Sequence, residues 1–199
     1  MYTIIDFETT GLDYKKEQVI EIGAIKLDKH FVPVSTINVL VQLNEGRSLP
    51  AKITEITGLE EKDLVNGVKD DYVALAMLEE FIGEDIVVAQ FASFDLAFLS
   101  HVFKPEKFIC TRSLSIILDP TEKASLKDLV PRYGATLDNH HRALADVEAT
   151  ADIFKAMMAR CFLTDLYINR VMNVMVSGSR PLHYIPDNAI LVDREGNQL

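Results

Sequence analysis

The N-terminal stretch Tyr2-Thr3-Ile4-Ile5-Asp6-Phe7-Glu8 constrains this chain more than any other. Its first four residues read as a strand buried on both faces. Residues i and i+2 of a strand share a face, so Asp6 and Glu8 point one way and Phe7 the other. Two carboxylates roughly 7 Å apart along a strand, at the end of a buried run, repel each other and lose hydration. Either the strand has surfaced and Thr9-Thr10-Gly11 is a simple turn, or a counter-charge neutralises the pair. Hard divalent cations take Asp, Glu and water oxygens as ligands and supply that counter-charge.

The pattern beyond this strand predicts a mixed α/β chain. Residues 17–28 and 31–43 read as two further strands, with Asp28-Lys29-His30 as a hairpin turn and Pro33 near the start of the later strand. Three strands in succession predict an antiparallel meander. Ser48-Leu49-Pro50 opens a helix with Pro50 at its first position, and Gly58 closes it. Residues 70–82 carry Val73, Leu75, Ala76, Leu78, Phe81 and Ile82 at helical spacing, and Gly83 ends that helix. Residues 85–90 read as a short buried strand, 94–103 as a helix, 107–110 as a fifth strand, and 111–118 and 125–132 as helices. A long helix is expected from about 142 to 160 and another over 161–176. Gly178 and Pro181 then break the chain, and 189–199 read as a small hairpin or loose end. Strands alternating with helices after a meander point to one mixed sheet flanked by helices. The expected division is a domain over 1–160 and an extension over 161–199, packed on the domain or used for a partner.

Composition narrows the setting. The 199 residues suffice for one domain with a real core. The net charge of −10, from 20 basic and 30 acidic residues, argues against tight nonspecific duplex binding. It does not exclude a nucleic-acid enzyme whose acidic groups hold cations. Cys110 and Cys161 fit no disulfide framework or zinc spacing and read as reduced, buried thiols in a cytoplasmic protein. No apolar stretch reaches the ~20 residues of a membrane span. A strand beginning at residue 2 leads to the expectation of no signal peptide and no preceding domain.

Two more acidic positions stand out. Asp95 lies in Ser93-Phe94-Asp95-Leu96-Ala97-Phe98-Leu99 and, taken alone, reads as a helix cap. Asp146 falls in the first turns of a helix whose apolar stripe is Leu144, Val147, Ala151, Phe154 and Met158. It lies off that stripe, with His141 just before the helix. Alone, this His–Asp pair reads as a polar helix entrance.

Together, Asp6-Phe7-Glu8-Thr9-Thr10-Gly11-Leu12, then Phe94-Asp95-x-x-Phe98-Leu99, then His141-x-Ala143-Leu144-x-Asp146-x-x-x-Thr150 resemble the DEDDh 3′→5′ exonucleases. That family includes the proofreading subunit of bacterial DNA polymerase III and ribonuclease T, and the resemblance covers roughly residues 2–160. It implies a ribonuclease H-like fold with a mixed five-stranded sheet. It also implies that Asp6, Glu8, Asp95 and Asp146 hold two divalent ions, Mg²⁺ or Mn²⁺, with His141 as general base. His141 is preferred to His140 because the family places its histidine four intervening residues before the aspartate. Thr9, Thr10 and Gly11 correspond to the backbone that approaches the terminal nucleotide, and Ile56 and Thr57 to a helix end that contacts the terminal base.

The implied reaction is phosphodiester hydrolysis at a single-stranded or frayed 3′ end of nucleic acid, releasing nucleoside 5′-monophosphates, with a DNA polymerase subunit as partner. The sequence shows no evident 2′-hydroxyl reader and no basic patch, which favours DNA. An exoribonuclease of RNA processing is the alternative, and an inactive nucleic-acid- or polymerase-binding module is the second. One departure bears on both. The family has His-Asn just before its second motif, and this chain has Gln90-Phe91.

Overall fold

The computed structural model describes residues 1–164, 168–178 and 180–199. Strands β1 (Tyr2–Thr9), β2 (Val19–Leu27) and β3 (Pro33–Leu40) form the expected antiparallel meander. Strands β4 (Ile86–Ala89) and β5 (Phe108–Cys110) add in parallel on the other side of β1, giving the order β3-β2-β1-β4-β5. The β2–β3 turn is braced by the Asp28 carboxylate, which accepts the N–H groups of His30 at 2.8 Å and Val32 at 2.9 Å.

Alternation along β1 sorts its side chains between two helical layers. Ile5 and Phe7 pack with Leu75 and Leu78 of α3 (Asp71–Ile82) and with Leu96 and Phe98 of α4 (Ala92–Leu99). Ile4, with Val88 and Ile109, packs instead on Leu114 of α5 (Thr111–Leu118), Leu129 of α6 (Leu126–Tyr133) and Val147 and Phe154 of α7 (Ala143–Leu163). Helices α1 (Ala51–Thr57) and α2 (Glu61–Leu64) sit at the β2 side, over a cluster of Ile20, Leu49, Leu59 and Leu64. Gly58 closes α1 with φ 72°, a left-handed conformation that a glycine adopts freely.

Four local expectations are corrected. Pro50 is the residue before α1, in extended conformation, rather than its first helical residue. Helix α4 begins at Ala92, so Asp95 is a turn inside it and caps nothing. Leu144 and Met158 are only half-buried on α7, whereas Ala143, Asp146, Ala149, Thr150, Ile153 and Met157 are buried. Packed on the sheet, on α5 and on α6, α7 buries a wider arc than a surface helix, and Asp146 lies within it. The helix expected over 161–176 is not formed as such. Residues 165–167 fall outside the described residues. Helix α7 continues to Leu163, and Ile168–Arg170 is a 3₁₀ turn followed by strand β6 (Val174–Val176). Asn173, at φ 59°, redirects the chain there. It locks onto the sheet edge through Phe108 N–H to its Oδ1 and its own N–H to the Phe108 carbonyl, both at 2.8 Å.

Strand β6 pairs in parallel with β7 (Ile190–Val192). The C-terminus then folds back as the small hairpin anticipated for 189–199, with the Leu199 N–H on the Leu191 carbonyl at 2.9 Å. Cys110 and Cys161 are free and buried. No helix among the described residues is long and apolar enough to cross a membrane.

One glycine fixes how α7 meets the sheet. Gly23, paired across to Asp6, lies under the start of α7, and a Cβ there would stand 2.5 Å from the Ala143 carbonyl carbon and oxygen. Those are backbone atoms of a seated helix and cannot step aside cheaply. Gly23→Ala is expected to lower stability in urea unfolding by about 1–3 kcal/mol, the usual cost of overpacking. A midpoint equal to that of the parent would show that α7 is not seated there.

Candidate active site

Asp6 and Glu8 extend from the Ile4 face of β1 toward α7, as the strand period requires. The β1–β2 register slips immediately after Glu8, a bulge that ends the regular pairing where the acidic side chains emerge. Directly across from Glu8 is Glu21, fully buried on β2. Like charges in a cross-strand pair are unfavourable, and Arg142 relieves this one. Its Nε and Nη2 donate to the two Glu21 carboxylate oxygens at 3.0 and 2.9 Å, and the Ala143 N–H adds a third bond at 3.2 Å. This fork clamps the first residue of α7 to β2. One turn further in, Asp146 is delivered to the acidic pair.

Carboxylate oxygens of Asp6, Glu8 and Asp146 lie within 4.8 Å of one another. Asp95, almost fully buried on α4, stands outside that close triad but is the strongest charged neighbour acting on Asp6. All four carboxyls are held above the ordinary carboxylate range. Burial is the main cause for Asp6, followed by repulsion from Asp95, Asp146 and Glu8. Burial and then Asp146 push Glu8 up to about 8, with Arg142 opposing. Burial raises Asp95 to about 7 against the pull of its own and the Phe7 backbone N–H groups. Burial also raises Asp146, against a hydrogen bond from His140. The donor set is all oxygen, anionic and crowded, which is the chemistry that Mg²⁺ or Mn²⁺ fits.

The two histidines divide their contacts. The His140 ring places Nδ1 at 2.9 and 3.1 Å from the two Asp146 oxygens. His141, at φ 67°, reaches Asp146 through its backbone N–H at 3.3 Å, and its ring stacks on His140 with centroids 3.8 Å apart. Burial, then the neighbouring His140, lower the His141 pKa below its usual value. His141 is thus neutral at pH 7, but the sequence spacing did not foresee that His140 would be the ring on Asp146.

The remaining sequence-predicted positions are placed as follows. The Thr9 hydroxyl donates to the Gly11 carbonyl at 2.7 Å and the Thr10 hydroxyl to Glu17 at 2.6 Å, so both brace their own loop. A Cβ on Gly11 would meet only the Glu17 side chain, at 2.9 Å. Ile56 is exposed on α1, whereas Thr57 is buried with its hydroxyl on the Ile53 carbonyl at 2.9 Å. Gln90 and Phe91 turn inward. The Gln90 Nε2 donates to the Ala124 carbonyl at 3.0 Å and its Oε1 accepts from the Thr111 hydroxyl. The C-terminal segment braces the start of α4 just after them, because Ser93 Oγ donates to the Tyr184 carbonyl at 2.9 Å and accepts the N–H groups of His183 and Tyr184. Sequence reasoning missed Glu21 and Arg142. The signal was present: Glu21 is the one charge inside the apolar run Val19-Ile20-Glu21-Ile22.

The family model described as Exonuclease (RNase_T) matches residues 3–154. The chain belongs to this exonuclease family. Among curated relatives, the epsilon subunit of DNA polymerase III from Aquifex aeolicus is 31% identical over 161 residues, covering 77% of this chain and 78% of that protein. The PolC-type DNA polymerase III of Clostridium perfringens is 37% identical over 162 residues, 77% of this chain, but the match spans only 11% of that much longer polymerase. In architecture, E. coli Exonuclease I in complex with a dT13 oligonucleotide superposes over 82% of this chain and 42% of its own, with TM-score 0.71 at 16% identity. The exonuclease fold expected from the motifs, ribonuclease H-like with a mixed five-stranded sheet, is therefore present.

The raised carboxyls make stability depend on pH with a definite sign. Without divalent cations, the folded site holds protons that the unfolded chain, with ordinary acid values near 4, has released. Stability is then greatest at acid pH and is lost as pH rises through about 7 for Asp95 and about 8 for Glu8. Thermal melts in EDTA should fall between pH 5.5 and pH 8.5, and added Mg²⁺ should raise the melting temperature far more at the alkaline end. An Mg²⁺ effect of equal size at both values would mean that no cation replaces those protons.

Proposed function

We propose that this chain is a metal-dependent 3′→5′ exonuclease that removes nucleoside 5′-monophosphates from a single-stranded or frayed 3′ end, with DNA as substrate. The observation that carries the reading is the convergence of Asp6, Glu8 and Asp146 oxygens within 4.8 Å, with Asp95 near enough for its charge to act on Asp6, inside a chain of this exonuclease family. Asp6, Glu8, Asp95 and Asp146 are the residues that would hold two divalent ions, Mg²⁺ or Mn²⁺. Such ions supply charge neutralisation at both the attacking and leaving oxygens of phosphodiester hydrolysis.

The chain's own groups do the rest. His141, neutral at pH 7, accepts the proton of the attacking water at its free ring nitrogen. The Glu21–Arg142 clamp orients the start of α7 and so aims both histidines and Asp146. Ile56 offers an exposed apolar surface to the terminal base, and Thr57 fixes the helix end that presents it. Because the Thr9 and Thr10 hydroxyls are engaged within their loop, the approach to the terminal nucleotide falls to the backbone of Thr9, Thr10 and Gly11. Residues 161–199 act as an extension that braces the start of α4 in a 1–160 catalytic domain. The polymerase names of the relatives support a proofreading role beside a polymerase subunit, and the free thiols accord with a cytoplasmic setting.

A second reading concerns only the base. The 2.9 Å contact from His140 Nδ1 to Asp146 leaves Nε2 of the same ring free to accept a proton.

Three measurements check these statements. Asp6→Asn should abolish release of a 3′ label, a loss of at least 10³-fold, with an unchanged fold by circular dichroism. His141→Ala should lose most activity near neutral pH and recover in part at alkaline pH, whereas His140→Ala should lose less. The reverse ranking would move the base to His140. Equal-sequence 3′-labelled DNA and RNA oligomers should be degraded in the order DNA before RNA, and the opposite order would install the exoribonuclease reading.

A further inference from the structure

The chain carries a surplus of negative charge, yet one pocket brings four cations together. This pocket, about 280 Å³, is lined by the four cations Arg112, Lys123, Arg180 and Arg194, which outnumber the two carboxylates that also line it, Glu122 and Asp128. The four basic residues come from α5, the α5–α6 loop and two parts of the C-terminal segment, so no basic run in the sequence announces them. The Arg112 and Arg180 guanidinium groups lie over the Phe91 ring at 5.7 and 4.1 Å from its centroid. Stacking on an aromatic face keeps a guanidinium flat and leaves its N–H edge free. Among the described residues, none of the four cations makes an ion pair within 4.0 Å. Two like charges beside one ring repel. An anion entering the pocket would relieve that repulsion.

The location indicates which anion. Phe91 immediately precedes α4, and Arg180 is near enough to Asp95 for the two charges to interact. The pocket therefore adjoins the acidic cluster on the β4–β5 side of the sheet. Ile56, the proposed contact of the terminal base, lies on the opposite side, with α1 packed near β2. A strand that ran on in one direction, from a last base on α1 through a terminal phosphodiester at the acidic cluster, would carry its preceding phosphates toward the β4–β5 side. Their repeated negative charge matches a row of unpaired cations there.

We propose that Arg112, Arg180, Arg194 and Lys123 form a subsite that grips the phosphodiester backbone of the substrate strand 5′ to the scissile bond. The proposal rests on the exonuclease reading for the position of the 3′ end. Phe91 is part of the device. Where the family carries a polar pair before its second motif, this chain places an aromatic ring that holds two guanidinium groups at the site's edge. Grip on the incoming strand is thereby moved from the loop itself to arginines that the C-terminal segment helps to supply.

The test is binding of 5′-fluorescein-labelled dT12 and dT2 to the full chain in Ca²⁺ buffer by fluorescence anisotropy, with gels confirming that the oligomers stay intact. Arg112→Gln combined with Arg180→Gln should weaken dT12 binding at least tenfold at 0.1 M salt. It should also reduce the slope of log K against log salt by about 0.7 for each phosphate of the single strand that is no longer neutralised. Binding of dT2, too short to reach the pocket, should change less than twofold. Arg180→Lys should retain most of the slope, Arg194→Gln should lower it alone, and Lys29→Gln, on the distant β2–β3 turn, should leave it unchanged. An unaltered slope in the double variant, or an equal weakening on dT12 and dT2, overturns the subsite. Release of a 3′ label by the parent protein in Mg²⁺ is followed in parallel. No release with a normal salt slope sinks the exonuclease reading and leaves the pocket standing, whereas release with an unaltered slope sinks the pocket.

Discussion

The structure depends on holding like charges together. Three carboxylates whose oxygens share a space less than 5 Å across, with a fourth close by, are a liability in a folded protein unless protons or cations sit among them. Nothing local in the sequence makes the cluster favourable. It exists because apolar packing elsewhere leaves the chain no alternative: Ile4 and Ile5 bury β1 on both faces, Leu96 and Phe98 fix α4, and Val147 and Phe154 fix α7. The hydrophobic layers, summed over many side chains, outweigh a local repulsion of a few charges, which protons or the proposed divalent cations relieve.

Two backbone-level devices convert that packing into geometry. Gly23 removes the side chain that would hold α7 away from β2, and the Glu21–Arg142 fork fixes the helix start against lateral movement. Both act on the same turn of chain, because Gly23 pairs with Asp6 and Glu21 pairs with Glu8. The same two residue pairs of the sheet thus carry the acidic pair Asp6 and Glu8 on one strand and the seat for α7 on the other. Glu21 is also close enough to the acidic cluster to raise the Asp6 and Glu8 carboxyls, and it is tolerable there only because Arg142 occupies both of its oxygens.

Much of this was legible in the residues. The meander, the existence of strands β4 and β5 and the helix ends at Gly58 and Gly83 follow from period and turn chemistry, which are local signals. Asp6 and Glu8 were legible because strand period alone puts them on one face. Asp95 and Asp146 were legible only as parts of spaced motifs, since each reads locally as a polar helix entrance. What was not legible was settled over long sequence distance. Asn173 ends the helical pattern near the C-terminus by bonding Phe108, a partner 65 residues away. The buried arc of α7 widened because three elements pack on it. His140 rather than His141 turns its ring to Asp146, and Asn139 and His141 on either side of it are left-handed, features no residue count reveals.

The same distinction explains why an acidic chain can carry a basic pocket unseen. Net charge averages over a surface, whereas a nucleic-acid strand responds to the field within about 10 Å of its path at moderate salt. Arg112, Lys123, Arg180 and Arg194 are separated along the chain by up to 82 residues, the difference between 112 and 194, and are brought together only when the C-terminal segment docks beside α5. Excess acid elsewhere then has a use. It would discourage nonspecific adhesion of polyanions over most of the surface and leave the proposed cationic approach beside the cluster. An acidic cluster without counter-ions repels a polyanion, so on the proposed reading attraction comes from its border. On the proposed exonuclease reading, a basic border beside an acidic centre reconciles a net charge of −10 with a phosphodiester substrate.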